Sequence, residues 1–119
     1  MTIQHTIQEP VLLASNPPEQ MPPGTTIHEY SLNLGGHSKS AFHTAKFEVS
    51  PQTIAAPDVH DVRELWFVTA GTAELLSNGK KVPLEKDMVF FFDSRVPHQI
   101  SNTSDVPLKV ITIWWPPGN

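Results

Sequence analysis

Residues 57–71 read PDVHDVRELWFVTAG, and the order of types within them decides the reading of the whole chain. Two aspartates, a histidine, an arginine and a glutamate are gathered ahead of the apolar run Leu65–Val68, in a chain of which only 17% is charged. Alternate side chains of an extended backbone share a face. Asp58 and His60 therefore point one way while Val59 and Asp61 point the other, and Glu64, four residues on, returns to the face of His60. Thirty-odd residues later SRVPHQISN (residues 94–102) places His98 after Pro97, at the head of another predicted strand. If the two strands meet inside a barrel, His60, Glu64 and His98 form a set of two imidazoles and one carboxylate.

The rest of the chain supplies such a barrel. Twelve prolines, several of them paired, interrupt it too often for long helices. From Thr25 onward short β-rich runs alternate with turn signals, the pattern of an all-β sandwich or barrel. The predicted strands are TIHEYSLN (26–33), AFHTAKFEV (41–49), ELWFVTA (64–70), TAELLS (72–77), KKVPL (80–84), DMVFFF (87–92), HQISN (98–102) and LKVITIWW (108–115). Asn78-Gly79 tolerates the positive φ angles of a type I′ turn, which predicts a tight hairpin joining TAELLS to KKVPL. Residues 1–24, rich in proline and too polar for a core of their own, read as an extended arm preceding a domain of residues 25–119.

Composition removes several functions. With no cysteine the chain has no disulfide framework, no thiolate metal site and no thiol nucleophile, so any metal is held by nitrogen and oxygen. The formal net charge is −4 and the eight Lys and Arg residues are scattered, which offers a nucleic-acid backbone little to hold. MTIQHTIQEPVLLASNPPEQ carries no basic leader and no long apolar stretch, which predicts neither a signal peptide nor a membrane span and places the protein in the cytoplasm.

Two imidazoles and a carboxylate on one face are the ligand set of mononuclear non-haem iron sites, leaving open positions for substrate, oxygen or water. Manganese, nickel or zinc suits the same donors. Asp58 is either a fourth ligand or an acceptor that fixes the ring of His60. Single His or Glu residues are more often structural than ligating, and Arg63 has an ordinary alternative as the ion-pair partner of Asp61 or Glu64. The argument rests on three candidates at matching strand positions.

These residues resemble the two motifs of the cupin superfamily, small β-barrels of the jelly-roll, or double-stranded β-helix, type. The first motif, H-x-H-x(3,4)-E-x(6)-G, is met by His60, Glu64 and Gly71, with Asp58 standing at its first histidine. In the second, G-x(5)-P-x-G-x(2)-H-x(3)-N, His98 and Asn102 match, while Asp87, Asp93 and Arg95 replace the Gly, Pro and Gly. The resemblance runs from about Thr25 to Trp115. It implies a single-domain metal-binding barrel with one divalent ion per chain, ligated by His60, Glu64, His98 and either directly or indirectly by Asp58.

Strand neighbours of the ligands at steps of two are expected in the same cavity: Trp66 and Val68 after Glu64, Ile100 and Asn102 after His98, with Phe90 and Phe92 on one face of their strand. Of Trp114 and Trp115 only one faces inward. Such a lining suits a ring-bearing or hydrophobic small molecule better than a sugar. His43, on the strand before the first motif, is a candidate acid or base beside Glu64; His28 and His37 are weaker ones, and His5 lies in the arm. The leading expectation is an enzyme of the dioxygenase type, or a Lewis-acid isomerase, cyclase or lyase. A barrel that binds or senses a small molecule without chemistry is the alternative, favoured by Asp58 and the missing glycines, and a storage role comes third. Exposed sheet edges and the arm predict a homodimer.

Overall fold

The computed structural model describes residues 9–36 and 41–118. They form ten strands: β1 (Glu19–Met21), β2 (Thr25–Glu29), β3 (His43–Val49), β4 (Thr53–Ile54), β5 (Arg63–Ala70), β6 (Thr72–Ser77), β7 (Lys80–Glu85), β8 (Val89–Phe92), β9 (Gln99–Asn102) and β10 (Leu108–Trp115), with no helix among the described residues. A six-stranded sheet ordered β1-β2-β3-β10-β5-β8 packs on a four-stranded sheet ordered β4-β9-β6-β7. All pairings are antiparallel.

The period of two explains what each strand buries. Ala45, Phe47 and Val49 of β3 share the inner face of the large sheet with Trp66 and Val68 of β5 and Leu108 and Val110 of β10, and Leu75, Leu84, Phe92 and Ile100 close the same core from the other strands. Val49, Leu84 and Leu108 are completely covered; full burial of such a side chain contributes about 1.5–3 kcal/mol. Lys46 and Glu48 point to solvent, where Glu48 meets Lys109 at 3.5 Å, and the opposite face lines the interior.

The hairpin between β6 and β7 turns at Asn78 (φ 49°) and Gly79 (φ 76°), with Ser77 opposite Lys80. Two short strands are additional to the sequence reading. β4 is only two residues long, and β1 lies within the Pro-rich arm, pairing Glu19–Met21 with Thr25–Ile27 of β2. Further back, Ser15 bridges Tyr30, so residues 15–21 run along β2 at one edge of the large sheet. Gly71 takes φ 81° between β5 and β6, where a Cβ would collide with the Pro107 carbonyl oxygen.

Candidate metal centre

Asp58 and His98 are joined by a two-bond antiparallel bridge: Asp58 N–H donates to the His98 carbonyl at 2.9 Å and His98 N–H to the Asp58 carbonyl at 3.0 Å. A third link, from Arg95 N–H to the His60 carbonyl at 2.7 Å, holds the turn before β9 against the segment before β5. Backbone bonds thus bring together two segments almost forty residues apart. Their rims are tied by exposed pairs, Arg63 with Asp93 and Arg95 with Asp61, each at 2.9 Å. The Arg63 hydrogen bond, helped by the Ser94 backbone N–H, holds the Asp93 carboxyl below its ordinary range. Arg63 therefore pairs with neither Asp61 nor Glu64.

One donor atom each from Asp58, His60 and His98 lies within 4.8 Å of the others. Glu64 enters from β5, with Oε1 3.8 Å from His98 Nε2, and His60 Nε2 stands 4.0 Å from Asp58 Oδ2. Neither separation is a hydrogen bond. Donors about 2.1 Å from a shared ion stand up to about 4.2 Å apart, and these two gaps fall inside that limit. Burial divides the set: the side chains of His98 and Glu64 are 4% and 12% exposed, those of His60 and Asp58 46% and 42%. One half is fixed in the wall and the other stands at the mouth.

The neighbours prepare the buried half for a cation. His98 Nδ1 lies 3.1 Å from the Val96 carbonyl oxygen, to which it donates as the protonated ring nitrogen, leaving the Nε2 lone pair toward Glu64. Phe92 and Trp66 flank the ring at centroid distances of 4.6 and 5.1 Å. Thr112 donates its hydroxyl to Glu64 Oε2 at 2.6 Å, whereas Glu64 Oε1 is buried with no hydrogen-bond partner. An unsatisfied carboxylate oxygen in a protein wall is costly unless a cation or donor meets it. The oxygen and nitrogen donors present suit iron, manganese, nickel or zinc.

The cluster opens into a cavity of about 480 Å³, lined on its apolar sides by Ile27, Phe47, Val49, Val62, Trp66, Ile100 and Trp114 among others, with Met21 and Pro22 of the arm at its rim. Trp66 and Ile100 thus reach the cavity, and Trp114 is the inward member of its pair; Trp115 stacks on Phe91 outside, 6.4 Å between centroids. Val68, Phe90, Phe92 and Asn102 do not line it. Val68 and Phe92 belong to the core behind, and Phe90 packs against it. Asn102 is spent on structure: its amide donates to the carbonyls of Val49, Ser50 and Val106, and its oxygen accepts from Ser104.

His43 is half exposed outside the cavity, stacked on Trp114 and 3.4 Å from Glu29. His28 lies on β2. His5 and His37 are outside the described residues. Sequence reasoning passed over Thr112. Its signal was a lone hydroxyl at an inward position of the apolar strand VITIW.

A family model described as Cupin domain matches residues 45–114. Among solved structures, the chain is similar to a Cupin 2 conserved barrel domain protein from Salinispora arenicola, with 20% identity and a TM-score of 0.69 over 94% of this chain and 90% of that one. A predicted oxalate decarboxylase from Thermotoga maritima matches at 19% identity and a TM-score of 0.64, covering 87% and 92% of the two chains. KdgF from a Halomonas species matches at 14% identity and a TM-score of 0.67, covering 85% and 86%. At these identities the likeness concerns the fold.

Proposed function

The chain belongs to the cupin domain family, and on that premise we propose that it holds one divalent metal ion at Asp58, His60, Glu64 and His98 and acts there on a small organic molecule. The observation that carries this reading is the buried, unpartnered Oε1 of Glu64, 3.8 Å from His98 Nε2, with His98 in turn grouped within 4.8 Å of donors from Asp58 and His60 at the mouth of an apolar cavity. When bound, the ion supplies Lewis acidity toward a ligand oxygen or, as iron, electron transfer to dioxygen, which corresponds to isomerase, cyclase or lyase chemistry on one hand and dioxygenase chemistry on the other.

The chain's own residues have separable parts in this. His98 is fixed by the Val96 carbonyl and offers a preset nitrogen. Glu64, held at Oε2 by Thr112, presents Oε1 as a donor to the ion or as the acceptor of a substrate proton. Trp66, Phe47 and Ile100 exclude water behind the ligand. Asp58 and His60, being half exposed, are the donors that the ion meets first from solvent.

A second reading is favoured by Asp58 at the position of the motif's first histidine: a barrel that binds a small molecule and performs no reaction on it. Elemental analysis of protein purified without added metal or chelator tests the first reading. About one equivalent of iron, manganese, nickel or zinc is expected, lost in His60→Ala and His98→Ala while circular dichroism stays unchanged. Metal-free protein that takes up none on reconstitution supports the second reading instead.

A further inference from the structure

The cavity's polar groups are distributed unevenly, and the distribution specifies a ligand. Among the described residues lining it there is no Lys or Arg. Three polar side chains outside the metal cluster are hydrogen-bonded to the protein. Thr25 Oγ1 donates to the Pro23 carbonyl at 3.2 Å, Gln99 Nε2 to the Ala55 carbonyl at 3.0 Å, and Thr112 Oγ1 to Glu64 at 2.6 Å. The indole N–H of Trp66 has no hydrogen-bond partner, but it is fully covered and so does not face the cavity space. What remains to greet a ligand is an apolar chamber whose polar groups, the Gln99 carboxamide apart, are concentrated at one pole formed by Asp58, His60, Glu64 and His98.

Charge balance narrows the class further. Two carboxylates and neutral imidazoles around a divalent ion sum to no net charge. An anionic ligand would bring a negative charge against apolar walls with no Lys or Arg among the described lining residues to meet it, and desolvating a lone charge is expensive. A dicarboxylate or a sugar acid would in addition leave its second polar end without partners.

Resting on the metal reading for its polar pole, we propose that this cavity selects an uncharged molecule with an aromatic or aliphatic body and one oxygen-bearing end, and discriminates against carboxylates and polyhydroxylated acids. A volume of about 480 Å³ is in the range of pockets that enclose whole small molecules.

The test is calorimetric titration of the metal-loaded protein with a matched pair, acetophenone and benzoate, which share a phenyl body and differ in charge, and with oxalate and gluconate. Acetophenone is expected to bind at least ten-fold more tightly than any of the three anions. Ala56→Trp, which adds bulk at an exposed lining position, should abolish that binding while leaving metal content unchanged. Equal or tighter binding of benzoate, oxalate or gluconate overturns the proposal, as does a folded, metal-loaded protein that binds none of the four. The same series on chelator-treated protein separates the two claims. A preference for acetophenone in protein that never holds metal sinks the metal centre and keeps the uncharged-ligand cavity.

Discussion

Thr112 is the polar exception on the inward face of β10, between Val110 and Trp114, and its hydroxyl is what keeps Glu64 in one orientation. Without it, Oε2 loses its donor in a buried place, and the carboxylate is free to turn. Partners of this kind, one step removed from a metal, are worth about ten- to a hundred-fold in affinity. Thr112→Val, close in shape and lacking the hydroxyl, is therefore expected to weaken binding of zinc or manganese by that factor, read by calorimetry on metal-depleted protein. Thr112→Ser should restore most of it. Equal affinity in all three proteins would show that the hydroxyl serves packing alone.

At the scale of elements, the turns carry the departures from the family motifs. Gly71 keeps its motif position because φ is 81° and the Pro107 carbonyl occupies the space of a side chain. Asp87 and Arg95 adopt φ of 74° and 67° at positions where the motif has glycine. Left-handed backbone costs a side-chain-bearing residue roughly 1–2 kcal/mol, less for Asp. Opposite signs are thus expected: Gly71→Ala should destabilise by about 2–4 kcal/mol, from backbone strain plus overpacking, whereas Asp87→Gly should stabilise by about 0.5–1 kcal/mol. Urea unfolding midpoints check both, and a stabilised Gly71→Ala would contradict the clash.

The same elements show how far the sequence could be read. The Asn78-Gly79 hairpin was legible because a two-residue turn leaves few choices, whereas the extended run expected from Asp58 to Glu64 is broken by a bend at residues 61–62, so that Glu64 is buried and His60 exposed and the backbone bridge from Asp58 to His98 brings the two segments together. Periodicity does not assign depth. Val68, Phe92 and Asn102 point inward as expected, yet they sit in layers below the cavity, and only the sheet register tells them apart from Trp66 and Ile100. β1 was hidden because Glu19, Gln20 and Met21 have no apolar alternation; it exists by pairing with β2, a tertiary cause. The cavity role of Met21 and Pro22 follows from that pairing and was invisible for the same reason.

At the scale of the molecule, the outward face of the large sheet is the feature that the barrel itself does not use. The registers place Leu65, Phe91 and Ile113 in one row and Phe67, Val89 and Ile111 in the next, across β8, β5 and β10. Val89, Phe91 and Ile111 are 55%, 56% and 38% exposed, and Trp115 extends the patch by stacking on Phe91. β8 is also the open edge of the sheet. A contiguous apolar patch at an unpaired edge marks an association surface, and across β8, β5 and β10 the two rows carry no charge, the nearest being Lys46 beside Ile111 on β3, so the edge-side part of the patch can meet its own copy across a two-fold axis without opposing like charges. We therefore expect a homodimer through this face, with light scattering giving twice the 13.2 kDa chain mass at micromolar concentration. Phe91→Glu should yield monomers with an unchanged circular dichroism spectrum, because the side chain is outside the core. Wild-type protein that scatters as a monomer would remove the interface and would leave the outward rows as a surface without an assigned use.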